Sequence, residues 1–366
     1  MSADVSTGPG ARPAADQGGG DKTGGDRADL MVDARDVVKR YRSRSAPEFT
    51  AVAGIDFQVA RGECFGLLGP NGAGKSSTMR MISCVARPTG GSLRILGLDP
   101  ATEGARIRAR IGVVPQDDAL DRELTVAENF LVYGRYFGLP KAVIRERTAR
   151  LLEFAQLTDK AGQRVDALSG GMRRRLTIAR AMINEPELVL LDEPTTGLDP
   201  QARHVLWERL FRLKRAGVTL ILTTHYMDEA EQLCDRLVVM DAGRIVDHGT
   251  PRDLIDRHCT REVLELRYDL GDLADIAKRI LEGQDGASGV SQGEQAEPAE
   301  QGHQPRRADE AERIEILPDR LLYYTPDGEA ALAELHRRAL APTTALVRRA
   351  TLEDVFLALT GRTLVD

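Results

Sequence analysis

The stretch Gly69-Pro70-Asn71-Gly72-Ala73-Gly74-Lys75-Ser76 fits the pattern G-x-x-x-x-G-K-[ST], and it fixes what the surrounding chain has to be. The pattern binds phosphate only between a buried strand and a helix. Cys64-Phe65-Gly66-Leu67-Leu68 before it is a nearly continuous apolar run, as in a parallel strand covered on both faces. Ser76 to Ala86 after it carries Met79, Ile82 and Ala86 at helical spacing. Glycines let the backbone curl so that N–H groups converge on β- and γ-phosphates, and the helix adds its positive end. Lys75 reaches phosphate oxygens, and the Ser76 hydroxyl can ligate Mg²⁺. The expectation is a nucleoside triphosphate site.

A second acidic element belongs with this loop. Leu188-Val189-Leu190-Leu191 runs into Asp192-Glu193-Pro194, the way a buried central strand delivers carboxylates to the carboxyl edge of a sheet. Asp192 is expected to hold Mg²⁺ through water. Glu193, on the opposite strand face or already turning into the loop, is free to orient an attacking water. Other strand ends point the same way. Ile111-Gly112-Val113-Val114 leads to Pro115-Gln116, whose amide either reaches the metal or is a polar loop group. Val218 to Thr224 ends at His225, which can hydrogen-bond a γ-phosphate, although a lone histidine usually means nothing. Tyr41, ahead of the loop, either stacks on a base or is an ordinary half-buried tyrosine.

From Thr125 to about Asn184 strand signals give way to helical periodicity, opened by a capping box at Thr125-Val126-Ala127-Glu128. Near its end, Leu168-Ser169-Gly170-Gly171 places a capping serine before two glycines at a helix start. That makes a second anion-binding site, one more than a single nucleotide needs. The following Arg173, Arg174 and Arg175 read as a solvated or DNA-attracting face, and three arginines alone do not make a nucleic-acid binder. Fifty Lys+Arg against 56 Asp+Glu leaves a net charge of −6, so no overall basic field argues for nucleic acid. Four cysteines without a Cys-x-x-Cys pair fit reduced thiols. No apolar run approaches the roughly 18 to 20 residues that span a bilayer.

Along the chain, residues 1–29 are glycine-rich and expected to be a disordered tail, and 30–250 a nucleotide-binding domain with a helical subdomain over about 117–184. Residues 251–366 read as a small α/β domain. Its strands are expected near Val263 to Tyr268, Arg313 to Leu317 and Ala345 to Val347, its helices over Gly271 to Leu281 and Gly328 to Leu340. A flexible insertion covers 283–310.

In this order, loop 69–76, Gln116, Leu168 to Gly171, Leu188 to Glu193, Leu198-Asp199 and His225 resemble the nucleotide-binding subunits of ABC transporters, continuously over about residues 33–255. The resemblance implies a P-loop NTPase of ABC type, a mixed sheet with antiparallel edge strands plus a helical subdomain. It implies ATP and Mg²⁺, and a head-to-tail dimer in which Ser169, Gly170 and Gly171 cover the γ-phosphate held by the other copy. By the same transfer Tyr41 stacks on adenine, Gln116 contacts Mg²⁺, Glu193 is the catalytic base with Lys75 and His225 beside it, and Asp199 faces the opposite site. Glu63 to Gly69, Val113 to Asp117, Leu168 to Leu176, Thr223 to Glu231 and Thr351 to Leu357 with Thr360-Gly361-Arg362 look like ABC-2 type exporter ATPases. Among these the likeness is greatest to nodulation-factor (lipo-chitooligosaccharide) and daunorubicin-type drug export subunits. Ser77 stands where those usually have threonine, and it keeps the hydroxyl.

The resemblance further implies an ATP hydrolase at the cytoplasmic face of the membrane that drives a separate integral permease and exports a lipo-oligosaccharide, drug or similar amphipathic substrate. The rival class, ABC-type ATPases acting on ribosomes or DNA, usually carries two nucleotide domains or a long coiled coil between the motifs. This chain shows neither.

Overall fold

A computed structural model describes residues 29–42, 47–269, 272–282, 290–292 and 312–360. The expected tail, apart from residue 29, lies outside them, as do 283–289 and 293–310 of the expected insertion, and Gly361 and Arg362.

The nucleotide-binding region begins with β1 (Leu30–Tyr41), β2 (Phe49–Ala60), β3 (Cys64–Leu68), α1 (Lys75–Ile82), β4 (Gly90–Ile95), α2 (Gly104–Arg108) and β5 (Ile111–Val114). After the helical lobe come β6 (Leu188–Asp192), α6 (Pro200–Arg215), β7 (Thr219–Thr224), α7 (Met227–Leu233), β8 (Arg236–Asp241) and β9 (Arg244–Gly249). Six strands form one sheet in the order β5-β6-β7-β3-β8-β9, parallel except for β9 at the edge. The sequence explains the parallel part: Cys64 to Leu68 and Leu188 to Leu191 are apolar at every position, and the structure buries them on both faces. A three-stranded antiparallel sheet, β2-β1-β4, covers one side, with Phe57 stacked on Phe65 at 5.6 Å. Its strands β1 and β2 run 12 residues each. Repeated register shifts along the pair break the period-two alternation that signals a strand.

The lobe between β5 and β6 holds α3 (Val126–Tyr136), α4 (Lys141–Ala155) and α5 (Gly170–Ala181). The capping box at Thr125 forms in full: Glu128 N–H donates to Thr125 Oγ1, and Thr125 N–H donates to the Glu128 carboxylate. Val126, Phe130, Ile144, Leu152, Leu168 and Leu176 close a core of their own.

Past Gly249 the chain adds α8 (Pro251–His258), β10 (Glu262–Arg267), α9 (Leu273–Leu281), β11 (Val290–Gln292), β12 (Arg313–Leu317), β13 (Arg320–Thr325), α10 (Gly328–Arg337), β14 (Thr344–Arg349) and α11 (Leu352–Thr360). Strands β12-β13-β10-β14 pair antiparallel, and with α9 and α10 they make a split β-α-β-β-α-β unit, with β11 parallel on β12 at the edge. Sequence reading finds neither β13 nor the flanking helices α8 and α11. Residues 290–292, inside the expected insertion, form β11. Helix α11 starts against α7, where the Leu352 N–H donates to Glu231 at 2.6 Å. Leu254, Val263, Tyr324, Leu352 and Phe356 belong to the same apolar cluster as Leu191, Leu222 and Leu233 of the nucleotide-binding region.

Candidate active site

The phosphate loop joins the buried end of β3 to α1. Gly74, at the helix N-cap, has φ 100°, and a Cβ there would lie 2.5 Å from the Ala51 carbonyl, so glycine is required. Lys75 is buried and folds back along the loop, its Nζ donating to the Gly69 carbonyl at 2.6 Å and the Pro70 carbonyl at 3.0 Å. Burial lowers its pKa, and the nearby Glu193 and Asp192 pull the other way. An ammonium with only two carbonyl acceptors keeps donor capacity for a phosphate oxygen. The Tyr41 hydroxyl lies 3.5 Å from Ser77 Oγ, and Lys39 packs on the tyrosine ring at 4.9 Å from its centroid.

Three strand ends meet this loop. Ser76 Oγ lies 3.5 Å from Asp192 Oδ1, to which Thr223 Oγ1 donates at 2.5 Å. The same threonine oxygen accepts the Glu193 N–H at 3.0 Å. Glu193 is a buried carboxylate with φ 45°, so the chain leaves the strand in the left-handed region immediately after Asp192. Such a backbone costs a non-glycine residue on the order of 1 to 3 kcal/mol and persists where its surroundings hold it. Around the carboxylate, Gln116 Nε2 donates to Oε2 at 3.2 Å, Thr196 Oγ1 donates to Oε2 at 3.1 Å, and His225 Nδ1 lies 3.4 Å from Oε1. The expected residues Lys75, Ser76, Gln116, Asp192, Glu193 and His225 thus share one locus.

A hydroxyl, one carboxylate and an amide at this locus are hard oxygen donors. Among the described residues no group of three or more His, Cys, Asp or Glu is placed to hold a metal ion. That donor set suits Mg²⁺, which takes one or two protein oxygens and otherwise phosphate and water.

Ser169, Gly170 and Gly171 stand apart from the loop of their own chain. Ser169 caps α5 by accepting the Met172 N–H at 3.3 Å. A Cβ at Gly170 would meet nothing within 4 Å, and one at Gly171 would touch Ala202 in the first turn of α6. That turn is capped by Asp199, which accepts the Ala202 N–H at 2.8 Å. Ser169 and Asp199 therefore flank one surface, with bare N–H groups at a helix start. Leu168 is buried beneath them.

The arginines after this motif differ from the solvated face read from the sequence. Arg173 binds Asp118 at 3.2 Å and Arg175 the Ala155 carbonyl at 2.9 Å. Arg174 is buried and donates to five main-chain carbonyls: Pro115 at 2.5 Å, Gln116 at 3.1 Å, Asp192 at 2.9 Å, Glu193 at 3.0 Å and Pro194 at 2.7 Å. Nothing local in the sequence signals this, because its acceptors lie roughly 20 and 60 residues away.

Fold and site together define an ATP-binding cassette of the ABC transporter class, an ATP hydrolase. Residues 52–196 match the family described as ABC transporter, and 298–361 match the C-terminal domain of the nodulation factor export protein NodI. The chain is 46% identical over 340 residues to a Nod factor export ATP-binding protein I of Ralstonia nicotianae, covering 92% of this chain and 95% of that protein. To the protein of the same name from Rhizobium etli it is 45% identical over 331 residues, 90% of this chain and 93% of the relative. The chain belongs to the family of Nod factor export ATP-binding proteins. Among solved structures, a dimeric ATP-binding cassette in a post-hydrolysis state with ADP and Pi matches with a TM-score of 0.56 and 28% identity. The match covers 60% of this chain and 98% of that one. A subunit of a Clostridium perfringens ABC transporter complex gives the same TM-score and identity, over 62% and 91%. No helix among the described residues is long and apolar enough to cross a membrane.

Proposed function

We propose that this chain is the ATP-hydrolysing subunit of an ABC-2 type exporter, working as a head-to-tail dimer on the cytoplasmic face of the membrane and driving a separate permease that moves a lipo-oligosaccharide. Residues 30–250 are the nucleotide-binding part in this reading, and 251–366 an accessory part. The observation that carries it is the Glu193 carboxylate, held by Gln116 and Thr196, beside His225, at the end of the strand that faces the phosphate loop.

The chemistry is set by these positions. Lys75 and the loop N–H groups bind and orient the β- and γ-phosphates, and Tyr41 stacks on the adenine. Ser76, Asp192 and Gln116 would hold Mg²⁺, which supplies charge neutralisation on the phosphates when bound. Glu193 accepts the proton of the attacking water and aims its lone pair at the γ-phosphorus, while His225 contacts the phosphate. Ser169, Gly170 and Gly171 of the second copy close the site from the far side. Open space at Gly170 and a free helix start are what such an approach needs.

The permease reading is supported by a 580 Å³ cavity lined by Val85, Ile111, Val113, Tyr133, Phe137 and Leu139, where the helical lobe meets the sheet. Tyr136 at its rim is 80% exposed and Val85 66% exposed, apolar surface of the sort that receives a partner segment. Lipo-oligosaccharide as cargo is supported by the names of the relatives, which describe Nod factor export.

The test is a pull-down from detergent-solubilised native membranes with the Glu193→Gln chain and ATP as bait. A multi-spanning permease should co-purify, and Tyr136→Glu in the same bait should release it. Recovery of ribosomes or DNA with no membrane protein would overturn the transport reading.

A further inference from the structure

We propose that Arg174 is a positioning residue for ATP hydrolysis, holding the Glu193 backbone and the Gln116 loop in register from the helix that begins at Ser169. The inference rests on the assignment of Glu193 as the catalytic base.

The geometry is over-determined for a packing role. A guanidinium has five N–H donors in a fixed fork, and here its three nitrogens reach five carbonyl oxygens on two separate strand ends. One pair of acceptors, Pro115 and Gln116, is the loop whose side chain touches the Glu193 carboxylate. The other three, Asp192, Glu193 and Pro194, bracket the left-handed residue itself. That residue is held at both ends of its backbone: its N–H is fixed by Thr223, and its C=O accepts from Arg174 at 3.0 Å and more weakly from the Thr196 N–H at 3.4 Å. Without Arg174 the carbonyl keeps only the long Thr196 bond, so the glutamate can relax out of its strained conformation and shift the carboxylate from the line to the phosphate loop. Lysine keeps the charge but is a point donor with three protons, so it cannot bridge the two strand ends.

The carbonyl clamp also has direction. Arg174 and Ser169 share α5 or its cap, so a shift of the helix start reaches Glu193 and Gln116 through one side chain. The anchor stays charged: burial lowers its pKa while Glu229, Asp192, Asp118 and Glu193 raise it, and an arginine has ample margin.

Arg174→Lys and Arg174→Met in the full chain test this, with ATP affinity, steady-state kinetics, Mg²⁺ titration and thermal unfolding measured for each. The expected result is a fall in kcat of about tenfold or more, with KM and ATP affinity within about threefold and a half-saturating Mg²⁺ concentration that rises. In single-turnover assays on the Glu193→Gln background, Arg174→Lys should add less than about twofold, since both changes remove the same contribution. Overturning results are a kcat within about twofold of the parent, a loss shared equally by kcat and ATP affinity, or failure of both variants to unfold cooperatively, which makes Arg174 a folding residue. Normal turnover by Glu193→Gln alone would instead remove the assignment of the base, and this inference with it.

Discussion

Thr223 joins the two adjacent acids of the site through one atom: its Oγ1 donates to Asp192 Oδ1 at 2.5 Å and accepts the Glu193 N–H at 3.0 Å. Val at this position keeps the shape of the buried β-branched side chain but loses both bonds. Thr223→Val should lower kcat about tenfold with ATP affinity little changed, read in steady-state ATPase and equilibrium binding assays. Unchanged kcat would show that the Asp192 and Glu193 positions do not depend on the hydroxyl.

Lys75 already lies among the loop carbonyls and is desolvated there. Lys75→Met removes the charge while filling the volume, so nucleotide affinity should fall about tenfold or more and thermal stability without nucleotide should hold or rise slightly. Fluorescent-nucleotide binding and melting curves check the two halves separately.

Glu229 of α7 is fully buried with neither carboxylate oxygen hydrogen-bonded, and burial pushes its carboxyl up to about 7, against the weaker pull of the polar groups of Thr224, Thr195 and Trp207 and of the Arg203 charge. The unfolded carboxyl titrates near 4.5, so the folded state holds the proton more tightly. Its contribution to stability is therefore full below pH about 4.5 and is lost as pH rises to about 7, on the order of a few kcal/mol at most. Glu229→Gln should flatten the decline in melting temperature between pH 5 and 8 in buffers of equal ionic strength. An identical pH slope in the variant would remove Glu229 as its source.

Arg348 makes two bonds to the buried Asp354 at 2.7 and 2.9 Å and one to Glu265 at 2.6 Å. This pairing holds Asp354 below the ordinary carboxylate range in spite of its burial. Arg348→Met leaves that charge unpaired, at a cost of about 3 to 5 kcal/mol. Denaturant unfolding should show the loss, and Arg348→Met/Asp354→Leu should recover part of it.

The phosphate loop, the acid pair and the start of α5 were legible because each is a short contiguous string whose chemistry depends on residue type and spacing. The parallel strands were legible because burial on both faces leaves unbroken apolar runs. Arg174 was not, since its acceptors are main-chain carbonyls, which no sequence pattern marks. The left-handed turn at Glu193 was one of two options left open by strand alternation, and only the backbone distinguishes them. Strand β13 carries the same unbroken apolar run, Leu321 to Tyr324, with one side against α9 and α10 and the other against α8 and α11, and its signal goes unread only because it is four residues long beside the expected insertion.

The shared apolar cluster and the Glu231–Leu352 bond bear on how this protein is dissected in the laboratory. A fragment cut after Gly249 keeps every residue proposed to meet nucleotide, yet it strips the cover from Leu233 and its neighbours and leaves a carboxylate without its helix start. Such a fragment is expected to be sticky and poorly soluble, and its ATPase rate would understate that of the whole chain for reasons unrelated to chemistry.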